Sequence, residues 1–162
     1  MATPLAPQEQ PMSLVFRDST ATGLPDVIRL ILADSLSSDR ESGGDEHGPI
    51  RAPEALEANS NNRLIVAEQD GGTAGIFQLT SIPTLTFRGG WIAQMKNARV
   101  DRTLLSQGLG QQLVEWAIAR AHERECTVLQ LSSNNARERA HAFYKRLGFK
   151  QSHTGFKLSL RS

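Results

Sequence analysis

From Ser13 onward, apolar positions recur alternately at the two-residue spacing of strands and at the three-to-four-residue spacing of helices. "SLVFRDS" (13–19) predicts a short strand. "LPDVIRLILADSL" (24–36) sets Leu24, Val27, Ile28 and Ile31 on one stripe and predicts a helix, with Pro25 near the first helical position, where its missing N–H costs nothing. "SSDRESGGDEHGP" (37–49) holds no core position and predicts a mobile loop, followed by a short helix from Ile50 to Ala58. "RLIVAEQDGGTAGIFQLTSI" (63–82) predicts a hairpin turning at Asp70-Gly71-Gly72, residues suited to the positive φ of tight turns.

In "WIAQMKNARV" (91–100) the apolar parity runs Trp91, Ala93, Met95 and then changes to Ala98, Val100. A regular strand of period two would turn one set outward, so either a β-bulge near Lys96 and Asn97 reconciles the halves or the strand is plain and its pattern loose. After a glycine turn, Gly110, Leu113, Val114, Ala117, Ile118 and Ala121 follow the spacing of one helix face. "CTVLQLSS" (126–133) predicts a buried strand, and "ARERAHAFYKRLGF" (136–149) a helix with Ala136, Ala140, Phe143 and Leu147 inward and Gly148 as a left-handed cap. "KQSHTGFKLSL" (150–160) predicts two strand pieces around Gly155, and no internal repeat is visible.

This order implies an α/β fold built on a mixed sheet with helices on both faces. The strand ending at Val100 and the one opening at Cys126 become parallel neighbours through a right-handed crossover.

The 162 residues suit one domain, and the 39% hydrophobic content is enough for one core. Residues 1–12, rich in Pro, Ala and Gln, are expected to be a disordered tail, with Met12 a second candidate start, and 13–162 a single domain. Eighteen Lys and Arg against seventeen Asp and Glu give a net charge of +1, which offers no general field for nucleic acid or an anionic membrane, so any anion must be held locally. One cysteine, Cys126, excludes an internal disulfide and a CxxC metal pair and suits a reducing, cytoplasmic setting. No metal site is expected. No apolar run approaches the length of a membrane span, and the first ten residues lack the apolar stretch of a signal peptide.

The chemistry concentrates at "LLSQGLGQQL" (104–113). Glycines weaken the first turn of a helix, yet they also let a ligand come against the backbone with no Cβ in the way. A helix beginning near Gly108 directs free N–H groups and a partial positive charge out of the carboxyl end of the parallel strand pair, which is where a phosphate binds. Neither G-x-x-x-x-G-K-[ST] nor G-x-G-x-x-G occurs, so the common nucleotide and dinucleotide loops are disfavoured.

"VDRTLLSQGLGQQLVEWA" followed by "RAHAFYKRLGF" resembles the two central motifs of the GCN5-related N-acetyltransferases (GNAT), a likeness that extends more weakly over roughly residues 13–160. The resemblance implies a mostly antiparallel twisted sheet with a central splayed parallel strand pair, and acetyl-coenzyme A as cofactor. Its pyrophosphate would lie on the glycine turn and its pantetheine arm beside the bulged strand. On this basis the cofactor-binding positions are Ala98, Arg99 and Val100, the turn Leu105, Ser106, Gln107, Gly108, Leu109, Gly110 and Gln111, then Asn134, Arg137, Ala140 and Tyr144. Tyr144 would sit by the thioester sulfur. The chain departs from the family at Leu105, where Arg or Gln is usual, and at Arg137, where Asn is usual; Arg137 suits a phosphate or is simply a solvated arginine. The acidic residue that some relatives carry on the bulged strand is absent here, where Lys96 stands in "QMKNARV".

Acyl transfer needs a neutral amine, donors for the developing oxyanion and a proton for the departing thiolate. Tyr144, with a reference pKa of about 10, is assigned as general acid toward a thiol of about 8.5. Backbone amides from Asn97 to Val100 are the expected oxyanion donors. His141, one turn before Tyr144, titrates in the right range for a base. A surface or packing role for His141, Glu46 or His47 in the loop, and a water chain remain the alternatives. Cys126, Trp91 and Trp116 are expected to be packing residues. Asp39, Glu41, Asp45 and Glu46 give the loop a local acidity that suits a cationic acceptor.

The leading function is therefore acetyl transfer to a primary amine of a small molecule or protein, by direct attack in a ternary complex. A coenzyme A binding or sensor module without turnover is the alternative. Nucleic acid and membrane are not expected partners, and a homodimer is admissible.

Overall fold

The structure, a computed structural model, describes residues 14–33, 55–56, 58–158 and 160. The expected tail, the acidic loop and most of the helix expected over Ile50–Ala58 lie outside the described residues.

Five strands form one sheet in the order of the chain: β1 (Val15–Asp18), β2 (Asn62–Gln69), β3 (Gly72–Pro83), β4 (Trp91–Val100) and β5 (Cys126–Leu131). β1 to β4 pair antiparallel, and β4 pairs β5 in parallel. Helix α1 (Leu24–Leu32) lies between β1 and β2 in the chain, α2 (Leu109–Glu123) between β4 and β5, and α3 (Glu138–Arg146) after β5. No helix among the described residues is long and apolar enough to cross a membrane.

The sheet separates two apolar layers because alternate strand residues face opposite sides. Ile65, Ala67, Phe77, Leu79, Ala93 and Met95 pack with Leu113, Val114, Ala117 and Ala121 of α2. On the other face Val66 and Ile76 pack with Val27 and Leu30 of α1. Trp116 closes the larger core, stacked on Phe16 at 5.4 Å and edge-on to Phe77 at 5.7 Å, under the guanidinium groups of Arg63 and Arg120. Trp91 is half-buried beneath Arg124, and Cys126 is half-buried rather than buried, with desolvation pushing its thiol up. The hairpin turns as its sequence predicts, with Asp70 and Gly71 both at positive φ (51° and 79°).

Four expectations are corrected. β5, expected as a buried strand, has no fully buried residue, because among the described residues it is an edge strand paired with β4 alone. In α1 the buried pair is Val27 and Leu30, while Leu24 and Ile28 are only half-buried, because the helix turns the i, i+3 pair onto Val66 and Ile76. Ala136 is exposed and precedes α3, whose Ala140, Phe143 and Leu147 are half-buried. Residues 150–158 form no strand: each is exposed and none joins the sheet.

Candidate active site

The parity change in β4 is a bulge. Ile76 faces Arg99 and Gln78 faces Lys96, so the single residue Phe77 opposes both Asn97 and Ala98. Asn97 takes up the extra length at φ 52°, a left-handed conformation that asparagine tolerates better than most residues. Ala93 and Met95 before the bulge and Ala98 and Val100 after it thus all meet the α2 core. Gly75 makes the close approach here: a Cβ at this position would lie 2.9 Å from the Arg99 carbonyl oxygen and 3.2 Å from Leu113 Cδ1.

β4 and β5 part at the same place. Their parallel pairing runs from Trp91↔Cys126 to Met95↔Leu131 and goes no further, although β4 continues to Val100. The resulting cleft is lined by Lys96 and Arg99 on β4, Ser133 after β5, and Arg137, Ala140 and Tyr144 at the α3 side. Ser133 Oγ is buried there with no hydrogen-bond partner among the described residues. Arg137, Ala140 and Tyr144 share a helical face, as their spacing predicts.

The glycine turn lies between β4 and α2 in the chain, and its residues are not among those that line the cleft. Gly108 is the N-cap of α2 at φ 78°, with open space where a Cβ would be. Ser106 is also at positive φ (66°). The N–H groups of Gln111 and Gln112 return to the Gly108 carbonyl (3.1 and 3.3 Å), whereas those of Leu109 and Gly110 have no helical acceptor. The two glycines differ in purpose. Gly108 makes the turn, and Gly110 lets the helix approach Phe143, whose Cζ would be 3.4 Å from an added Cβ. Leu109 is buried in the core, so only its backbone can serve a ligand, and Leu105 is extended and exposed. The Gln111 side chain donates to Glu115 at 2.7 Å.

Asp101 holds the turn from behind and escapes the motif-based reading. Its Oδ1 accepts from the Thr103 N–H (2.9 Å) and hydroxyl (2.7 Å), its Oδ2 from Arg29 of α1 (2.9 Å), and its own N–H donates to the Ala74 carbonyl (2.8 Å). The Thr103 bonds first, then Arg29, lower its carboxyl to about 2. The "DRT" run is a capping signal that could have revealed it. Ser133 and Gly75 carry no comparable local signal.

Tyr144 lies between the rings of Phe143 (5.2 Å) and Phe149 (5.6 Å). Burial raises its phenol above the ordinary value, and Arg137 and Arg99 offset this in part. The phenol therefore keeps its proton at neutral pH. His141 is not among the cleft-lining residues: its Nε2 stands 2.9 Å from the Asn134 carbonyl oxygen, joining α3 to the loop after β5. Asn134 Oδ1 accepts from the Ala136 N–H at 2.9 Å, so its side chain serves the loop.

The donor set fits coenzyme A. Unengaged amides at the α2 N-terminus and the Arg137 guanidinium suit phosphate oxygens. The parted strands and the unpartnered Ser133 hydroxyl suit an amide-bearing arm.

Comparison with known proteins agrees with this geometry. The profile described as "Acetyltransferase (GNAT) family" matches residues 29–149. The chain is 32% identical over 109 residues, 67% of its length and 69% of the relative's, to an aminoalkylphosphonate N-acetyltransferase of Salmonella typhimurium. The fold is similar to that of a transcriptional regulator from Bacillus halodurans (TM-score 0.84, 36% identity, 91% of this chain and 100% of that one). A Trypanosoma brucei acetyltransferase shares the fold alone, at TM-score 0.73 and 19% identity over 91% of this chain and 100% of the other.

Proposed function

The chain belongs to the GNAT acetyltransferase family and is an N-acetyltransferase, and from that premise we propose that its acceptor is a small primary amine carrying an anionic group, acylated by direct attack with both substrates bound. The observation that carries this reading is the charge of the cleft: Lys96, Arg99 and Arg137 line it, and among the described residues no carboxylate does. Such a lining attracts a phosphonate, phosphate or carboxylate and disfavours a polycation. The aminoalkylphosphonate relative, an enzyme named for an amine that bears an anion, supports the same class. The acidic loop that suits a cationic acceptor lies outside the described residues.

Bound acetyl-coenzyme A supplies the acetyl thioester. Around it, the Leu109 and Gly110 amides and Arg137 hold phosphate, and Ser133 Oγ holds the arm between the parted strands. The bulge amides from Asn97 to Val100 meet the developing oxyanion, where fixed donors cost no reorganisation during the reaction. Tyr144 Oη holds a proton for the departing sulfur. Lys96 and Arg99, on either side of the bulge, orient the acceptor by its anion, so that its amine lies beside the carbonyl carbon. The lone half-buried Cys126 suits a reducing compartment, and we place the reaction in the cytoplasm.

Thiol release with a panel of amines tests the proposal. Aminoalkylphosphonates and amino acids are expected to outrun polyamines and lysine peptides in kcat/KM, and Arg99→Gln to raise KM for the anionic acceptors selectively. Polyamines as the best substrates would refute the acceptor class. Tight coenzyme A binding with no thiol release for any amine would refute turnover.

A further inference from the structure

Both tryptophans of the chain lie under guanidinium groups, and the three arginines concerned meet at one cavity. Arg63 and Arg120 stand 5.4 and 5.3 Å from the Trp116 ring centroid, and Arg124 stands 5.2 Å from that of Trp91. They line a recess of about 240 Å³ shared by the start of β2, the second half of β3 and the last turn of α2. The catalytic cleft holds about 70 Å³, and the two cavities have no lining residue in common. The fifteen residues of α2, roughly 22 Å of helix, separate the recess from the glycine turn.

Positive charge is in excess here. Arg63 is held by Asp18 through two hydrogen bonds (2.9 and 2.8 Å), and Arg120 by Glu123, the one carboxylate among the described lining residues. Among the described residues Arg124 has no carboxylate partner, and its guanidinium donates to the neutral Asn61 Oδ1. Arg120 Nε is buried with no hydrogen-bond partner among the described residues. Stacking on an indole fixes the plane of a guanidinium fork and supplies no counter-ion. The negative end of α2 opposes an anion at this place, so recognition depends on the forks at hydrogen-bond range rather than on a long-range field.

We propose that this recess binds a small organic acid, whose carboxylate or phosphate oxygens accept from Arg124 while Arg63 and Arg120 add charge from the stacked pair. Ser60 and Ser81 contribute hydroxyls and Leu79 an apolar wall, the mixture of surfaces that a small molecule needs. A polyanionic strand would need a basic stripe, which three arginines in a recess do not make. The site depends neither on the acceptor class nor on turnover.

Tryptophan fluorescence tests this directly, because the two indoles of the chain lie under the arginines in question. Succinate and glycerol phosphate are titrated into the full chain at constant ionic strength, with sodium chloride as the control. The expected result is a saturable change with Kd below about 1 mM for at least one acid and none for chloride. Succinate alone would mark a carboxylate ligand, and glycerol phosphate alone a phosphate ester. Arg124→Gln is expected to weaken binding about tenfold or more, as is Asn61→Asp, which sets a carboxylate beside Arg124 and keeps all three arginines. Arg137→Gln, in the catalytic cleft, should leave the titration unchanged. Saturation by neither acid would overturn the proposal, as would an equal response to chloride. So would binding that survives both Arg124→Gln and Asn61→Asp, or that is lost in Arg137→Gln, since the acid would then lie elsewhere.

Discussion

Tyr144 is poised by what surrounds its hydroxyl. Desolvation raises the phenol and two guanidinium groups only partly compensate, so the proton stays in place until strongly alkaline pH. Tyr144→Phe keeps the ring contacts with Phe143 and Phe149 and removes only the proton. Because a thiolate leaves tolerably without help, kcat is expected to fall about 10- to 100-fold, at the low end for general acids, while calorimetric binding of acetyl-coenzyme A is unchanged. An unaltered kcat would remove the general-acid role. Asp101 yields a different prediction. Its carboxyl is held at about 2, below its unfolded value of about 3.9, so the stability it contributes is complete above the unfolded value and is lost as pH falls through the folded one. Asp101→Asn should therefore lower Tm at neutral pH, and the deficit should shrink between about pH 4 and about pH 2. A deficit that stays constant on acidification would mean that charge is not what Asp101 contributes. Tyr144 and Arg137 are legible from the sequence because seven positions on a helix bring them to one face. Ser133 is not, since its partnerless hydroxyl depends on where β5 and β4 part.

The bulge in β4 is the element that joins packing to chemistry. A change of apolar parity between Met95 and Ala98 makes it one of two readings that the sequence allows, and the structure decides for the inserted residue, which keeps both halves in the core. Its complement on β3 is silent in the sequence. Gly75 sits in a plain hairpin pattern, and only the folded sheet reveals that the Arg99 carbonyl crosses within 2.9 Å of an added Cβ. Gly75→Ala is expected to destabilise by about 1–3 kcal/mol in chemical denaturation, since the obstruction is backbone and Leu113 is fully packed. It should also displace Ala98 to Val100 and so lower kcat. A substitution neutral for both stability and activity would show that the approach at Gly75 does not hold the bulge. The segment after α3 marks the opposite case. Its alternation reads as strand, but alternation identifies only a chain able to pair and says nothing of which edge receives it.

Across the molecule, function follows from one topological fact. A parallel pair set among antiparallel neighbours requires a crossover helix, and that helix begins at the carboxyl end of β4, where β5 turns away. The splay opens the sheet, the helix N-terminus supplies the amides that we assign to phosphate, and α3 brings Arg137 and Tyr144 to the other wall. Alternating strand and helix patterns are enough to recover this order from the sequence. The acceptor is less accessible to such reading, because the sign of the cleft depends on Lys96, Arg99 and Arg137 converging from two elements. Acetyl-coenzyme A at the glycine turn underlies every role assigned here. Titration calorimetry of the native protein beside Gly108→Trp examines it, since the indole fills the space that Gly108 leaves open. Binding in the micromolar range by the native protein and none by a variant with intact circular dichroism is the predicted result. Equal binding by both, or none by the native protein, would contradict the phosphate site at Gly108.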